Sequence, residues 1–192
     1  QSEINSAVNR EQLDLLRQAP GVRVLSPELN LIVDGHTLAE GTRTNISLRG
    51  LTQDGIALRR GVRLIEGRWP SAGVSELAVG QAVARTYRNM ELGAEVRLGA
   101  SAWKVVGVFR TGGTVAESEI WADLAAAQSL FQRTNVVQSV RVGVDGGAAI
   151  EALANFSQAE PRLQLAVQSE AQYYGAQASR TSELAEQLAW PL

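Results

Sequence analysis

The only histidine in the chain is the first residue to test for acid–base or metal chemistry. His36 follows Asp34 and Gly35, a pair that predicts a turn. A zinc site would need further imidazole or thiolate ligands, and the chain has 1 His and 0 Cys. A serine hydrolase would need His36 as its base, yet no Gly-x-Ser-x-Gly motif occurs. We therefore interpret His36 as a solvated turn residue.

Paired carboxylates and phosphate-binding loops are the next candidates for chemistry. Two acids in a cleft can act as acid and base, but Glu117 with Glu119 and Glu183 with Glu186 lack aromatic flanks, so we interpret both pairs as solvated. The Gly-Gly-Thr segment at 112–114 lacks the lysine of a P-loop, and no Gly-x-Gly-x-x-Gly opens a helix. The sequence therefore predicts no enzyme and no catalytic, cofactor or metal residue. Any ATP would be used by a separate nucleotide-binding subunit or domain.

Positive charge is densest between residues 49 and 68, where five arginines face only Asp54 and Glu66. Aromatic interleaving is limited to one tryptophan, and the net charge of −2 gives no field for nucleic acid. A polar partner interface and an ordinary solvated surface are the two remaining interpretations. The predicted interface consists of Arg59, Arg60, Arg63, Arg68 and Trp69.

Hydrophobic periodicity, with glycine and proline breaks, predicts the elements that position these residues. Strands 95–98 and 102–109 should form a hairpin through Gly99, Ala100 and Ser101. The two terminal helices have little apolar surface to bury, which predicts stalks. Predicted helices cover 3–18, 81–88, 123–131, 148–157 and 169–190, and predicted strands cover 22–25, 29–33, 44–51, 77–79, 95–98, 102–109, 120–121, 136–144 and 163–167.

The spacing of the elements predicts an α+β fold with two lobes. Longer βα units occupy 1–60 and 135–192, with a stalk helix at each end. Short, glycine-bounded elements fill 61–134, which we expect to be a small β-rich lobe inserted into the first. No run of about 18 apolar residues exists, so no segment is expected to span a membrane.

Several short motifs give the chain a family resemblance. An opening helix ends at Pro20-Gly21-Val22, and four motifs follow it in order: Val62-x-x-x-x-Gly67-Arg68, Glu76-Leu77-Ala78-Val79, Leu92-Gly93 and Val105-Val106-Gly107-Val108. Together they resemble the MacB-like periplasmic core domain of ABC transporter permeases of the MacB/FtsX-like superfamily. The resemblance covers nearly the whole chain. Ser75 and Ala94 depart from the family's pattern, so the subfamily is not specified.

The resemblance implies a porter-like lobe at 1–60 and 135–192 and a sabre-like insert at 61–134. It implies an extracytoplasmic domain of an inner-membrane protein, with one apolar helix just before Gln1 and three after Leu192. Its expected role is non-catalytic mechanotransmission, which couples cytoplasmic ATP hydrolysis to periplasmic motion and to the handling of a substrate or partner. Expected partners are a second permease copy or paralogue, an ATPase subunit reached through the membrane part, and a periplasmic adaptor or substrate protein.

Two other functions remain open at this point. A solute- or lipid-recognition sensor would need an apolar cavity of several hundred Å³ between the lobes. A hydrolase would depend on His36, the only histidine in the chain.

Overall fold

The computed structural model describes residues 8–130, 132, 137–163, 165 and 167. The helices are α1 (Arg10–Arg17), α2 (Gln53–Ala57), α3 (Gln81–Thr86), α4 (Leu124–Leu130) and α5 (Gly146–Ala159), with a 3-10 helix at Val115–Ser118. The strands are β1 (Val22–His36), β2 (Arg43–Leu51), β3 (Arg63–Gly67), β4 (Glu76–Gly80), β5 (Glu95–Leu98), β6 (Ser101–Arg110), β7 (Glu119–Asp123) and β8 (Ser139–Val144).

All eight of these strands belong to one mixed sheet. Its order is β3-β6-β4-β7-β2-β1-β8, and β5 pairs with β6 as well. The β2–β7 and β4–β6 pairs are parallel, whereas β1–β2, β3–β6, β4–β7 and β5–β6 are antiparallel. A mixed sheet with a few short helices confirms the predicted α+β class.

The strand β1 is one continuous element of 15 residues where the sequence predicts two shorter strands. The predicted turn at Asp34 and Gly35 is wrong, because both residues are paired with β2. At Gly35 a Cβ atom would stand 2.2 Å from Cδ1 of Ile46, so a larger residue does not fit there. The reversal comes later, where Thr37 Oγ1 accepts a hydrogen bond of 3.1 Å from the backbone of Thr42.

The hairpin of β5 and β6 is confirmed, since Leu98 pairs with Ser101 across the predicted glycine turn. Trp103 of β6 is buried, with 1% of its surface exposed. The predicted strand at 163–167 is absent from its described part, because Leu163 lies in a turn and residues 165 and 167 have no regular structure.

The first helix is shorter than predicted. Asn9 caps α1: its side chain accepts from the backbone of Gln12 at 2.9 Å, while the Gln12 side chain accepts from the backbone of Asn9 at 3.0 Å. The predicted start at residue 3 and the final helix at 169–190 lie outside the described residues. Among the residues that are described, no helix is both long and apolar enough to cross a membrane.

The sheet buries residues on both faces. On one face, α4 packs so closely on β2 that a Cβ at Gly50 would stand 2.9 Å from the Cβ of Ala127. On the other face, Leu51 belongs to a buried cluster with Trp121 and Phe109. The neighbouring Arg49 shares this second face because side chains alternate along a strand. A charged residue is thereby placed beside an aromatic core.

By its internal packing the chain divides into two compact units. One comprises the described residues of 8–18 and 23–143, and the other comprises 19–22 with the described residues from 144 onward. Sheet pairing is continuous from β4 through β7 to β2, across the predicted boundary near residue 61. The division into a lobe of 1–60 with 135–192 and an insert of 61–134 stays a prediction.

Candidate functional site

Ion pairs cross three adjacent strands inside the larger unit. Arg49 of β2, the middle strand, donates from Nη1 to Glu28 of β1 at 3.0 Å. Its Nε and Nη2 donate to the two oxygens of Glu119 of β7, at 2.8 and 2.5 Å. A two-pronged arginine–carboxylate contact fixes distance and orientation together. One guanidinium therefore links the two neighbouring strands through side chains, in addition to the backbone pairing of the sheet.

A second arginine closes this network from outside the sheet. Arg59, which follows α2, donates from Nη2 to Glu28 at 2.7 Å and from Nη1 to the carbonyl of Gly55 at 2.7 Å. Its guanidinium carbon lies 5.3 Å from the ring centre of Trp121, within the range of a cation–π contact. Trp121 Nε1 in turn donates to Glu119 at 2.8 Å. We call these five residues, Glu28, Arg49, Arg59, Glu119 and Trp121, the ionic network.

The network favours the ionised forms of Glu28 and Arg49. Burial on its own raises the pKa of Glu28, but the Arg59 hydrogen bond and the nearby arginine charges outweigh burial and lower that pKa below its usual range. Burial likewise lowers the pKa of Arg49, yet Glu119 and Glu28 raise it above its ordinary value. A carboxylate that stays ionised at neutral pH is a poor proton donor. The arrangement therefore fits a structural role better than proton transfer.

An aromatic cluster lies directly beside the network. The ring centres of Phe109 and Trp121 are 4.1 Å apart, and Trp69 lies 5.8 Å from Phe109 and 5.9 Å from Trp121. Such ring pairs add roughly 0.5–1.5 kcal/mol beyond area burial. Because Trp121 belongs to both groups, the charged and aromatic regions share one packing unit.

The predicted interface residues occupy different environments. Arg59 is buried, with 7% exposed, and its guanidinium is used by Glu28, so it does not contribute to an outer surface. Trp69 is half-buried in the aromatic cluster, whereas Arg60, Arg63 and Arg68 are exposed. A partner interface at these residues stays a prediction.

Arg68 is exposed but already paired. Its Nη1 donates to Glu76 Oε2 at 2.7 Å, and its Nη2 donates to the other oxygen of Glu76. This contact is the largest cause that lowers the pKa of Glu76 to about 2. The backbone N–H of Ser71 adds a further bond of 2.9 Å to the same carboxylate. Arg68 thus closes the loop between β3 and β4.

The acids Glu117 and Glu119 do not form the solvated pair that the sequence predicts. Glu119 is buried in the ionic network, with 8% exposed. Glu117 accepts from the backbone N–H groups of Thr111 and Gly113 at 2.7 and 3.0 Å, and these bonds lower its pKa. The loop at 111–114 is therefore folded around a carboxylate of its own chain. The second pair, at 183 and 186, lies outside the described residues.

His36 is exposed at the end of β1. It borders a shallow cleft with Arg88 and Asn89, together with Asp34, whose carboxylate is paired with Arg43 at 2.6 Å. The described part of the chain contains no group of three or more His, Asp or Glu side chains that could hold a metal ion. We identify no nucleophile–base pair in this cleft.

Sequence reasoning missed the ionic network, although part of a signal was present. Glu28 directly precedes the predicted strand 29–33, and Glu119 directly precedes the predicted strand 120–121. Their shared partner Arg49 is 21 residues from one and 70 residues from the other. No local pattern reports pairing over such a distance, and only the strand order brings the three side chains together.

Three solved structures share the fold of this chain. The extracellular domain of the noncanonic ABC-type transporter YknZ from Gram-positive bacteria is 17% identical, with a TM-score of 0.63 over 80% of this chain and 82% of that one. The periplasmic region of MacB from Actinobacillus actinomycetemcomitans is 14% identical, with a TM-score of 0.60 over 82% and 75%. A domain of a putative permease from Porphyromonas gingivalis is 17% identical, with a TM-score of 0.55 over 85% and 73%.

The fold is thus that of extracytoplasmic domains of ABC-type transporters. The family model of the MacB-like periplasmic core domain matches residues 2–156, and the chain belongs to that family. The chain matches no curated protein. The predicted family and extracytoplasmic location are confirmed.

Proposed function

We propose that this domain is a non-catalytic mechanical element of its permease, coupling ATP hydrolysis in the cytoplasm to movement outside the membrane. The supporting observation is the ionic network, in which Arg49 binds carboxylates on both neighbouring strands. A domain that relays force must move as one body, and buried charge pairs break only at high cost. The network therefore favours rigid displacement over internal deformation.

The proposed partners follow from the family. A second permease copy or paralogue would form the dimer, an ATPase subunit would act through the membrane part, and an adaptor or substrate protein would meet the domain outside. The domain itself would need no cofactor, because ATP would be used by a separate nucleotide-binding subunit or domain. Recognition of a solute or lipid remains the alternative; the cleft beside His36 is lined largely by polar and charged side chains and offers it no support.

Spin-label distances in the full permease test the proposal. Because the chain has 0 Cys, a cysteine introduced at the exposed Ala125 gives one defined label in each copy of this domain. With the ATPase bound, the distance between the two labels should change on addition of ATP. A second pair within one copy, at the exposed Ala125 and Glu91, should keep its distance.

Two outcomes would contradict the proposal. An unchanged distance between copies with and without ATP would mean that the domain does not move in the cycle. A change confined to the pair within one copy would mean that the domain deforms instead of moving as a body. An ATPase variant that binds but does not hydrolyse ATP serves as the control for the cycle.

A further inference from the structure

Two arginines face each other directly across the edge of the sheet. Arg63 of β3 and Arg110 of β6 are partners in the antiparallel register, so their side chains project from the same face. Both are exposed. Like charges in directly opposed positions destabilise a strand pair. The fold therefore keeps an unfavourable arrangement at its surface.

No described carboxylate forms an ion pair with either side chain. Glu66 lies opposite Val108 on the same face but makes no ion pair with the arginines. Glu117 is near enough to Arg110 for the charge to lower the pKa of the carboxyl, but its oxygens are already bound by backbone N–H groups. Arg68, two positions after Glu66, is different because it forms an ion pair with Glu76.

A third arginine adds to this charge. Arg60 is exposed in the turn that leads from α2 to β3, and it too has no ion pair with a described residue. The paired Arg63 and Arg110, with Arg60 three positions before Arg63 along the chain, define a surface that we call the arginine edge. β3 is the terminal strand of the sheet order, so nothing in the described sheet pairs beyond it.

We propose that the arginine edge is a docking surface for an acidic segment of another protein. Guanidinium groups bind carboxylates in a planar, two-pronged geometry, and this surface contains arginine without lysine. Membrane-binding clusters usually hold about 4–8 basic residues, more than the three present here. The chemistry therefore favours a protein carboxylate over a lipid surface. This inference does not depend on the proposed mechanical role.

Binding of a synthetic oligo-glutamate peptide tests the proposal on the isolated chain. The double variant Arg63→Glu/Arg110→Glu should bind the peptide at least about tenfold more weakly, as expected for the loss of roughly 1.4 kcal/mol. The same variant should gain binding of an oligo-lysine peptide. The control Arg85→Glu/Arg97→Glu makes the same change of net charge at two exposed arginines elsewhere and should leave glutamate binding unchanged.

Three results would overturn the proposal. Equal weakening in the control would show that only net charge matters. Arg63-dependent binding of phosphatidylglycerol vesicles, without binding of the peptide, would identify a membrane surface instead. A concentration-dependent dimer that the Arg63→Glu/Arg110→Glu variant abolishes in sedimentation would identify a second copy of this chain as the occupant. An unchanged melting profile of each variant confirms that the fold is retained.

Discussion

The arginines on and beside this sheet behave in two opposite ways. In the ionic network, Arg59 is buried and Arg49 is partly buried, and each guanidinium meets a carboxylate, a carbonyl or an aromatic ring. At the arginine edge, Arg63 and Arg110 are exposed and face each other. Residue type alone therefore does not indicate role. The presence of an opposing acid separates an arginine that stabilises the fold from one that remains available to a partner.

The largest expected effect comes from removing the central acid of the ionic network. Replacing the buried Glu28 with Gln leaves the partly buried Arg49 and the buried Arg59 without their shared partner, and the free energy of unfolding should fall by about 3–5 kcal/mol. Urea unfolding measures this change. Asp34→Asn is the matched control on the same strand, because its ion pair with Arg43 is exposed and should contribute almost nothing. An equal loss of stability in the two variants would contradict the expected difference between buried and exposed ion pairs.

A double-mutant cycle on Arg49 and Glu119 should give a smaller coupling, roughly 1–3 kcal/mol. The variants are Arg49→Met, Glu119→Gln and the two combined. The combined variant should lose less stability than the sum of the two, because each single change leaves a buried group without its partner. Strict additivity would show that the two-pronged contact contributes no energy of its own.

Acid should weaken the ionic network before it affects the arginine edge. The folded-state pKa of Glu28 lies below its ordinary value of 4.5, so its contribution to stability is present above about pH 4.5 and is lost as the pH falls through the folded pKa. The pKa of Glu76 is also lowered, to about 2, so its contribution to stability is likewise lost as the pH falls. Urea midpoints measured between about pH 2 and pH 5 should fall less steeply for Glu28→Gln than for the unchanged chain. Parallel slopes would contradict this assignment.

The smallest expected effect is a gain in stability, whereas the preceding variants lose stability. Arg63→Thr removes the like charge opposite Arg110 and supplies a residue that favours strands, so stability should rise by roughly 0.2–1 kcal/mol. The gain should shrink at high salt, where exposed charges are screened. Arg97→Thr on β5, where the strand partner is the uncharged Ala102, is the control. A loss of stability in Arg63→Thr would show that this arginine contributes to the fold.

Local signals in the sequence predicted local structure well. The glycine turn between β5 and β6 follows from a pattern within a few residues. The turn expected at Asp34 and Gly35 failed for a non-local reason, because Gly35 is needed for close packing against Ile46 of the next strand. Gly35 is therefore a strand residue that allows close packing, although its type suggested a turn.

The candidate site was predicted less well than the fold. Arg59 was expected at a surface, but its neighbour in space is Glu28, which is 31 residues away along the chain. Glu119 was expected in solvent because the local sequence does not reveal the parallel pairing of β7 with β2. Side-chain partners that depend on strand order cannot be inferred until that order is known.

The parallel pairing of β2 with β7 also affects how the domain can be made. Glu119 lies 70 residues after Arg49, so at a synthesis rate of about 5–20 residues per second it emerges several seconds later. During that interval the arginines near the start of the chain lack their final partner on β7. The antiparallel pair of β1 and β2 can therefore form first, whereas the parallel β2–β7 pairing and the Arg49–Glu119 contact must wait for a segment made much later.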